Sequence, residues 1–115
     1  MKNPLFIFFI TTLILPGCSH STDPNKNPDW INALIAKYQN QPPGNPPQSI
    51  WRYEYNGETV YYVPAQCCDQ FSTLYNGHGD IICAPDGGFA GGGDGRCPDF
   101  FARRTNEKLI WKDGR

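Results

Sequence analysis

Asn56 and Gly57 stand between two runs rich in aromatic and β-branched residues, and that pair constrains the chain more than any other feature. The tightest hairpin turn needs positive φ at both central residues, which Asn and Gly tolerate best, so the pair predicts a two-residue reversal between antiparallel strands. Register then follows. On one face Tyr55 opposes Glu58, Tyr53 opposes Val60 and Trp51 opposes Tyr62; on the other Glu54 opposes Thr59, Arg52 opposes Tyr61 and Ile50 opposes Val63. The first face is the more apolar and is expected to meet a helix. The second is expected to be wetter, with Arg52 over the Tyr61 ring; of all the rings on the hairpin, Tyr55 and Tyr61 are expected to be the most exposed.

That helix is expected at the start of the domain. Asn27 suits the N-cap and Pro28 the first helical position. Asp29 would complement the positive end of the dipole and Lys37 the negative end. Ile31, Leu34, Ile35 and Tyr38 recur at helical spacing and make one apolar stripe. Residues 41–49 hold four prolines and Gly44, so they read as an extended connector. Further on, residues 71–75 and 81–83 flank a turn at 76–79 and read as a second, shorter hairpin. In residues 86–95 six of ten positions are Gly, so backbone angles rather than side chains are being specified there. Residues 98–104 read as a short helix and 108–112 as a last strand. The fold class expected is α+β: one N-terminal helix packed on a small, mostly antiparallel sheet and stapled by disulfides.

The first 27 residues read as an address rather than as structure. Lys2 precedes an apolar run over 5–15, broken only by Thr11 and Thr12. That is the layout of a signal peptide, and the run is about half the ~20 residues a spanning helix needs. Leu15-Pro16-Gly17-Cys18 then resembles a lipobox, so residues 1–17 are expected to be removed and Cys18 to carry lipid. Residues 18–27 are polar and lack apolar periodicity, as a lipidated tether would. Residues 28–115 are expected to form a single small domain, at a size where staples help.

Cys67, Cys68, Cys83 and Cys97 supply such staples. An even number of cysteines in a small exported domain reads as two disulfides. Adjacent cysteines bond each other poorly, so the expected pairings are 67–83 with 68–97, or 67–97 with 68–83. Zinc is disfavoured, because the two-residue gap usual between paired thiolates is absent.

The side chains that could carry chemistry are few. The only histidines are His20, in the tether, and His78, in a tight turn. Asp69, Asp80, Asp86, Asp94 and Asp99 cluster in sequence, yet carboxylates beside glycine are ordinary turn formers. Neither catalysis nor a metal or other cofactor is therefore expected. The alternative is a calcium-dependent module or minor hydrolase using Asp86, Asp94 and Asp99, although their spacing fits no EF-hand loop. Exposed rings among Trp51, Tyr53, Tyr55, Tyr61 and Tyr62 could stack on sugars or on a protein partner, though core packing accounts for the first face. With a net charge of −1 and no basic patch, nucleic acid is not an expected partner.

Four motifs across residues 60–100 carry a family resemblance: Tyr61-Tyr62-Val63-Pro64, Cys67-Cys68-Asp69-Gln70-Phe71, Cys83-Ala84-Pro85-Asp86-Gly87-Gly88, and Gly93-Asp94-Gly95-Arg96-Cys97-Pro98-Asp99-Phe100. They resemble a family of uncharacterised bacterial lipoproteins carrying a domain of unknown function, over most of residues 28–113. The resemblance implies an envelope location and no particular activity. The expectation is a lipid-anchored cell-envelope protein, at the periplasmic or surface face of the outer membrane. It would be a non-enzymatic module that meets an envelope protein or a glycan through its stapled loops.

Overall fold

The structure, a computed structural model, describes residues 26–67 and 69–115. The expected signal peptide, Cys18, most of the tether and Cys68 lie outside the described residues.

The first element is helix α1, Asp29–Gln39. It starts one residue later than Pro28 would suggest. Pro28 is extended (φ −53°, ψ 148°), and its carbonyl accepts the Ile31 N–H at 3.0 Å, so Pro28 rather than Asn27 holds the cap position. Asp29 and Lys37 sit in the first and last turns, where the dipole favours them.

Strands β1 (Ser49–Tyr55) and β2 (Glu58–Val63) form the hairpin in the expected register, from Tyr55–Glu58 through Trp51–Tyr62. Asn56 and Gly57 both have positive φ, 51° and 76°. Strands β3 (Thr73–Tyr75) and β4 (Ile81–Cys83) follow, then the one-turn helix α2 (Phe100–Arg103) and strand β5 (Thr105–Lys112). The strands make one antiparallel sheet in the order β4-β3-β2-β1-β5. The domain is thus mostly β, with a single helix of any length.

Two expected strand limits move. Residues 71 and 72 leave the sheet: Phe71 bridges Gly87, while Ser72 bonds Asp86 through both its N–H and its hydroxyl. The last strand begins at Thr105 instead of 108, and it reaches β1 through two register shifts, with Asn106 at φ 54°.

The expectation for the two hairpin faces is reversed. The α1 residues Ile31, Leu34, Ile35 and Tyr38 gather with Ile50, Tyr61 and Val63, all on the face read as wetter. Tyr61 is only 4% exposed, with the Trp30 ring meeting it edge-on at 5.2 Å. The position over Tyr61 expected for Arg52 is thereby filled by an apolar ring. The arginine that does lie over rings is Arg104, 4.9 Å from the centre of Tyr53 and 4.8 Å from that of Phe101. The other face, with Tyr53, Val60, Tyr62 and Leu74, gathers with Phe100 and with Cys83 and Cys97. Both faces are covered, so counting apolar side chains per face could not tell which cover belonged to which.

The cysteine pairing also departs from both expected alternatives. Cys83 bonds Cys97, with their Cα atoms 6.2 Å apart. These two are buried in one cluster with Phe100 of α2, whereas Cys67 is exposed in the segment after β2. Cys67 is itself disulfide-bonded.

A polar clamp closes the carboxyl end of α1, where backbone carbonyls lack helical partners. The Arg115 guanidinium donates to the carbonyls of Tyr38, Gln39 and Gln41 at 3.0–3.1 Å. It also pairs with the Asp113 carboxylate at 2.8 Å, a group only 5% exposed. The hydrogen bonds from Arg115 hold the Asp113 carboxyl below its ordinary range. A lowered folded value means that the contribution is full above the ordinary carboxylate range and is lost as pH falls through the folded value. Arg115→Ala is therefore expected to lower the melting temperature by several degrees at neutral pH and by less in acid, where only the carbonyl bonds remain to be lost. Thermal unfolding followed across pH checks this. An equal loss at every pH would show that Asp113 is not the partner that matters.

Candidate functional site

The three carboxylates singled out in the sequence are not gathered into one group. Asp86 accepts a hydrogen bond from the Tyr62 hydroxyl at 2.8 Å, and its backbone is tied to Ser72. Asp99 accepts one from Tyr55 and pairs with Arg103 at 3.3 Å. Asp94 accepts the backbone N–H of Arg96 at 3.0 Å. Among the described residues, no three His, Cys, Asp or Glu side chains are placed to hold a metal ion.

The shifts in proton affinity follow from these partners. Tyr55 and the Arg103 charge hold the Asp99 carboxyl below its ordinary range, and the Arg96 N–H does the same for Asp94. Burial, then the bond to Asp86, raises the Tyr62 hydroxyl. Burial, then the bond to Glu107, pushes Tyr53 up to about 12. Every one of these shifts leads away from neutrality, whereas general acid–base work is best served by a group titrating near the working pH. Tyr53, Tyr55 and Tyr62 thus donate to carboxylates in β5, just before α2 and at the start of the glycine-dense loop respectively.

The Tyr62 bond reaches Asp86, the first residue of the glycine-dense stretch 86–95. Its backbone folds back on itself: Gly91 N–H bonds Gly88 O, Gly93 N–H bonds Gly87 O, and Asp94 N–H bonds Ala84 O. Gly88 N–H reaches across to Gln70 O at 3.1 Å. Two positions show why glycine is required. At Gly93 φ is 70° and a Cβ would lie 2.0 Å from Ala84 O; at Gly87 φ is 86° and a Cβ would lie 2.2 Å from Gln70 O. Close backbone approach of this kind excludes every side chain. Cys83–Cys97 closes the base of this loop.

At the tip of this loop sits Phe89, 95% exposed. Sequence reasoning passed over it as one residue among glycines. The signal was there, since it is the only large apolar side chain in residues 86–95. Next to it Phe71 is 56% exposed, with its ring against the bare Cα of Gly88, where a Cβ would come within 2.6 Å of it. Behind Phe71 an open cleft of about 200 Å³ is lined in part by Gln48, Gln66, Gln70 and Thr73. Phe89, Phe71 and the cleft occupy the end of the sheet where β2 finishes and β3 begins. The amino end of α1 is at the opposite end: Trp30 donates to Gly77 O, in the β3–β4 turn.

A family model described as a domain of unknown function, DUF6970, matches residues 36–113. No curated protein matches the chain, and no solved structure matches it.

Proposed function

The chain belongs to that family of unknown function, and from this premise, with no activity to inherit, we propose that it is a lipid-anchored cell-envelope protein whose domain is a non-enzymatic binding module. The observation that carries the reading is Phe89. A phenylalanine left in water forgoes the ~1.5–3 kcal/mol that burial would bring. Here it stands in a turn closed by the Gly91–Gly88 hydrogen bond, on a loop stapled at its base by Cys83–Cys97. A rigid loop loses little entropy on docking, and an exposed ring at its tip is the anchor such a contact needs.

The two ends of the domain support this arrangement. A tether over 18–27 reaches at most about 35 Å when fully extended, and it leads into α1, whose amino end lies by the β3–β4 turn. Phe89 and Phe71 are at the far end of β3. Anchoring through Cys18 by such a tether would leave the loop free to face away from the bilayer, toward other components of the envelope.

Two results test this. Changing Cys18 to Ser should leave the precursor unprocessed or release the protein from the membrane fraction; a matured, membrane-bound variant would defeat the anchoring half. A photoreactive residue at position 89 should give discrete adducts in intact cells, and Phe89→Ser should compete poorly for the same target while melting at an unchanged temperature. Adducts no different from those at exposed Lys112 would defeat the binding half.

A further inference from the structure

We propose that the domain rests on the lipid bilayer through an apolar strip of Trp30, Tyr75 and Ile81 at the amino end of α1; this deepens the anchoring reading above and rests on it. Ile81, the first residue of β4, is 65% exposed. It stands opposite Tyr75 in the register, so the two side chains leave the same face of the sheet. The Tyr75 ring is 5.2 Å from that of Trp30, and both residues are half-buried against the cluster that α1 covers. Ile81 continues this strip past the cluster. Trp30 is held in place at two points. Its N–H donates to Gly77 O at 2.9 Å, and a Cβ at Gly79 would come within 2.8 Å of its ring.

The occupant follows from what adjoins the strip along the chain. The stretch from Cys18, the proposed lipid-bearing residue, to Asp29 spans at most about 40 Å even when fully extended. This end of the domain is therefore kept near the bilayer, and a short flexible link sets the effective concentration of the two at about millimolar. A contact too weak to recruit a free domain is then enough. Burial of Ile81 beside two half-buried rings is a contact of that size, and Trp and Tyr favour the zone between acyl chains and water. The exposed charged groups at this end, Lys26, Asp29, Glu58 and Asp80, give no positive excess, so a zwitterionic surface suits it and anionic lipid is not required. A second copy of the chain is the poorer match. A stable interface takes about 800 Å² from each partner, more than one isoleucine and two half-buried rings supply, and β4 is only three residues long. With the strip on the bilayer, the 86–95 loop at the other end of β3 points away from it.

The test uses the full chain as matured in cells, reconstituted into phosphatidylcholine vesicles. A diazirine-bearing aliphatic residue replaces Ile81, Leu109 or Phe89 in turn. Leu109 opposes Trp51 on the other face of the sheet, and Phe89 is at the other end; both are exposed. Position 81 should give lipid adducts in excess of the other two by roughly tenfold. In vesicles brominated on the upper acyl chain, tryptophan emission should be quenched. Ile81→Glu should remove most of that quenching, because a carboxylate resists entry into the acyl region, while the variant stays on the vesicles and melts at an unchanged temperature. The aliphatic photoreactive residue keeps the test decisive if glutamate loosens β4. Equal lipid adducts from the three positions, or quenching untouched by Ile81→Glu, would overturn the contact and leave the anchoring standing. Lipid adducts concentrated at 89, or adducts at 81 that join two copies of the chain, would also overturn it. A chain that does not stay on the vesicles would remove anchoring and contact together.

Discussion

Gly93→Ala is expected to cost about 3 kcal/mol, of which positive φ accounts for ~1–2 and overpacking against fixed backbone for the rest. At ~4–8 °C per kcal/mol for a domain of this size, the melting temperature should fall by roughly 15 °C. Two other glycines of the same loop separate the causes. Gly91 has φ 78° but nothing within 4 Å of a Cβ, so Gly91→Ala should show the conformational cost alone, about 1–2 kcal/mol. Gly92 has neither constraint, so Gly92→Ala should stay within about 0.5 kcal/mol of the parent. Thermal unfolding of the three variants with disulfides intact gives the order directly. Equal losses at 91, 92 and 93 would mean that the loop is not held against Ala84 at all.

The second large effect is expected from the staple at the base of that loop. Cys83 and Cys97 are 14 positions apart, and closing a loop of about this length restricts the unfolded chain by ~3 kcal/mol. Replacing both with Ala should therefore cost about 3 kcal/mol. Alanine avoids placing a new hydroxyl in a cluster where the cysteines are 1% and 4% exposed. The loss should be local as well as global, with amide exchange at Gly88 and Gly93 rising before that of the sheet. Because the glycines and the disulfide hold the same loop, their effects should not add. Gly93→Ala should cost less in the alanine pair than in the parent, and strict additivity would show that the two act independently.

The parts of this fold that were readable in the sequence are those decided by neighbours along the chain. A two-residue Asn56-Gly57 turn leaves one register, and that register is observed. The α1 stripe and the second hairpin likewise follow from short-range spacing. What escaped depends on which element covers which face. Tyr61 reads as exposed because Arg52 opposes it, yet Trp30, some thirty residues earlier, lies against its ring. The Cys83–Cys97 pairing arises because residues 86–95 fold back through backbone bonds, a path that the spacing of cysteines does not record. The candidate site was the least legible. Gln48, Gln66 and Gln70 are scattered in sequence and meet only because the connector, β2 and β3 converge. Asp86 and Asp99 drew notice instead, and they turn out to hold tyrosine hydroxyls.

The place of β5 beside β1 has a kinetic side. The hairpin of β1 and β2 can close within microseconds, since its turn is two residues long. The other edge of β1 stays open until β5 arrives, and the Tyr53–Glu107 bond across that seam joins residues 54 positions apart. Such non-local pairings form late and slow the whole reaction. A chain passing amino end first through a narrow channel would thus emerge with β1 still paired on one side only. It would remain threadable until the final strand followed, and only then could the sheet lock.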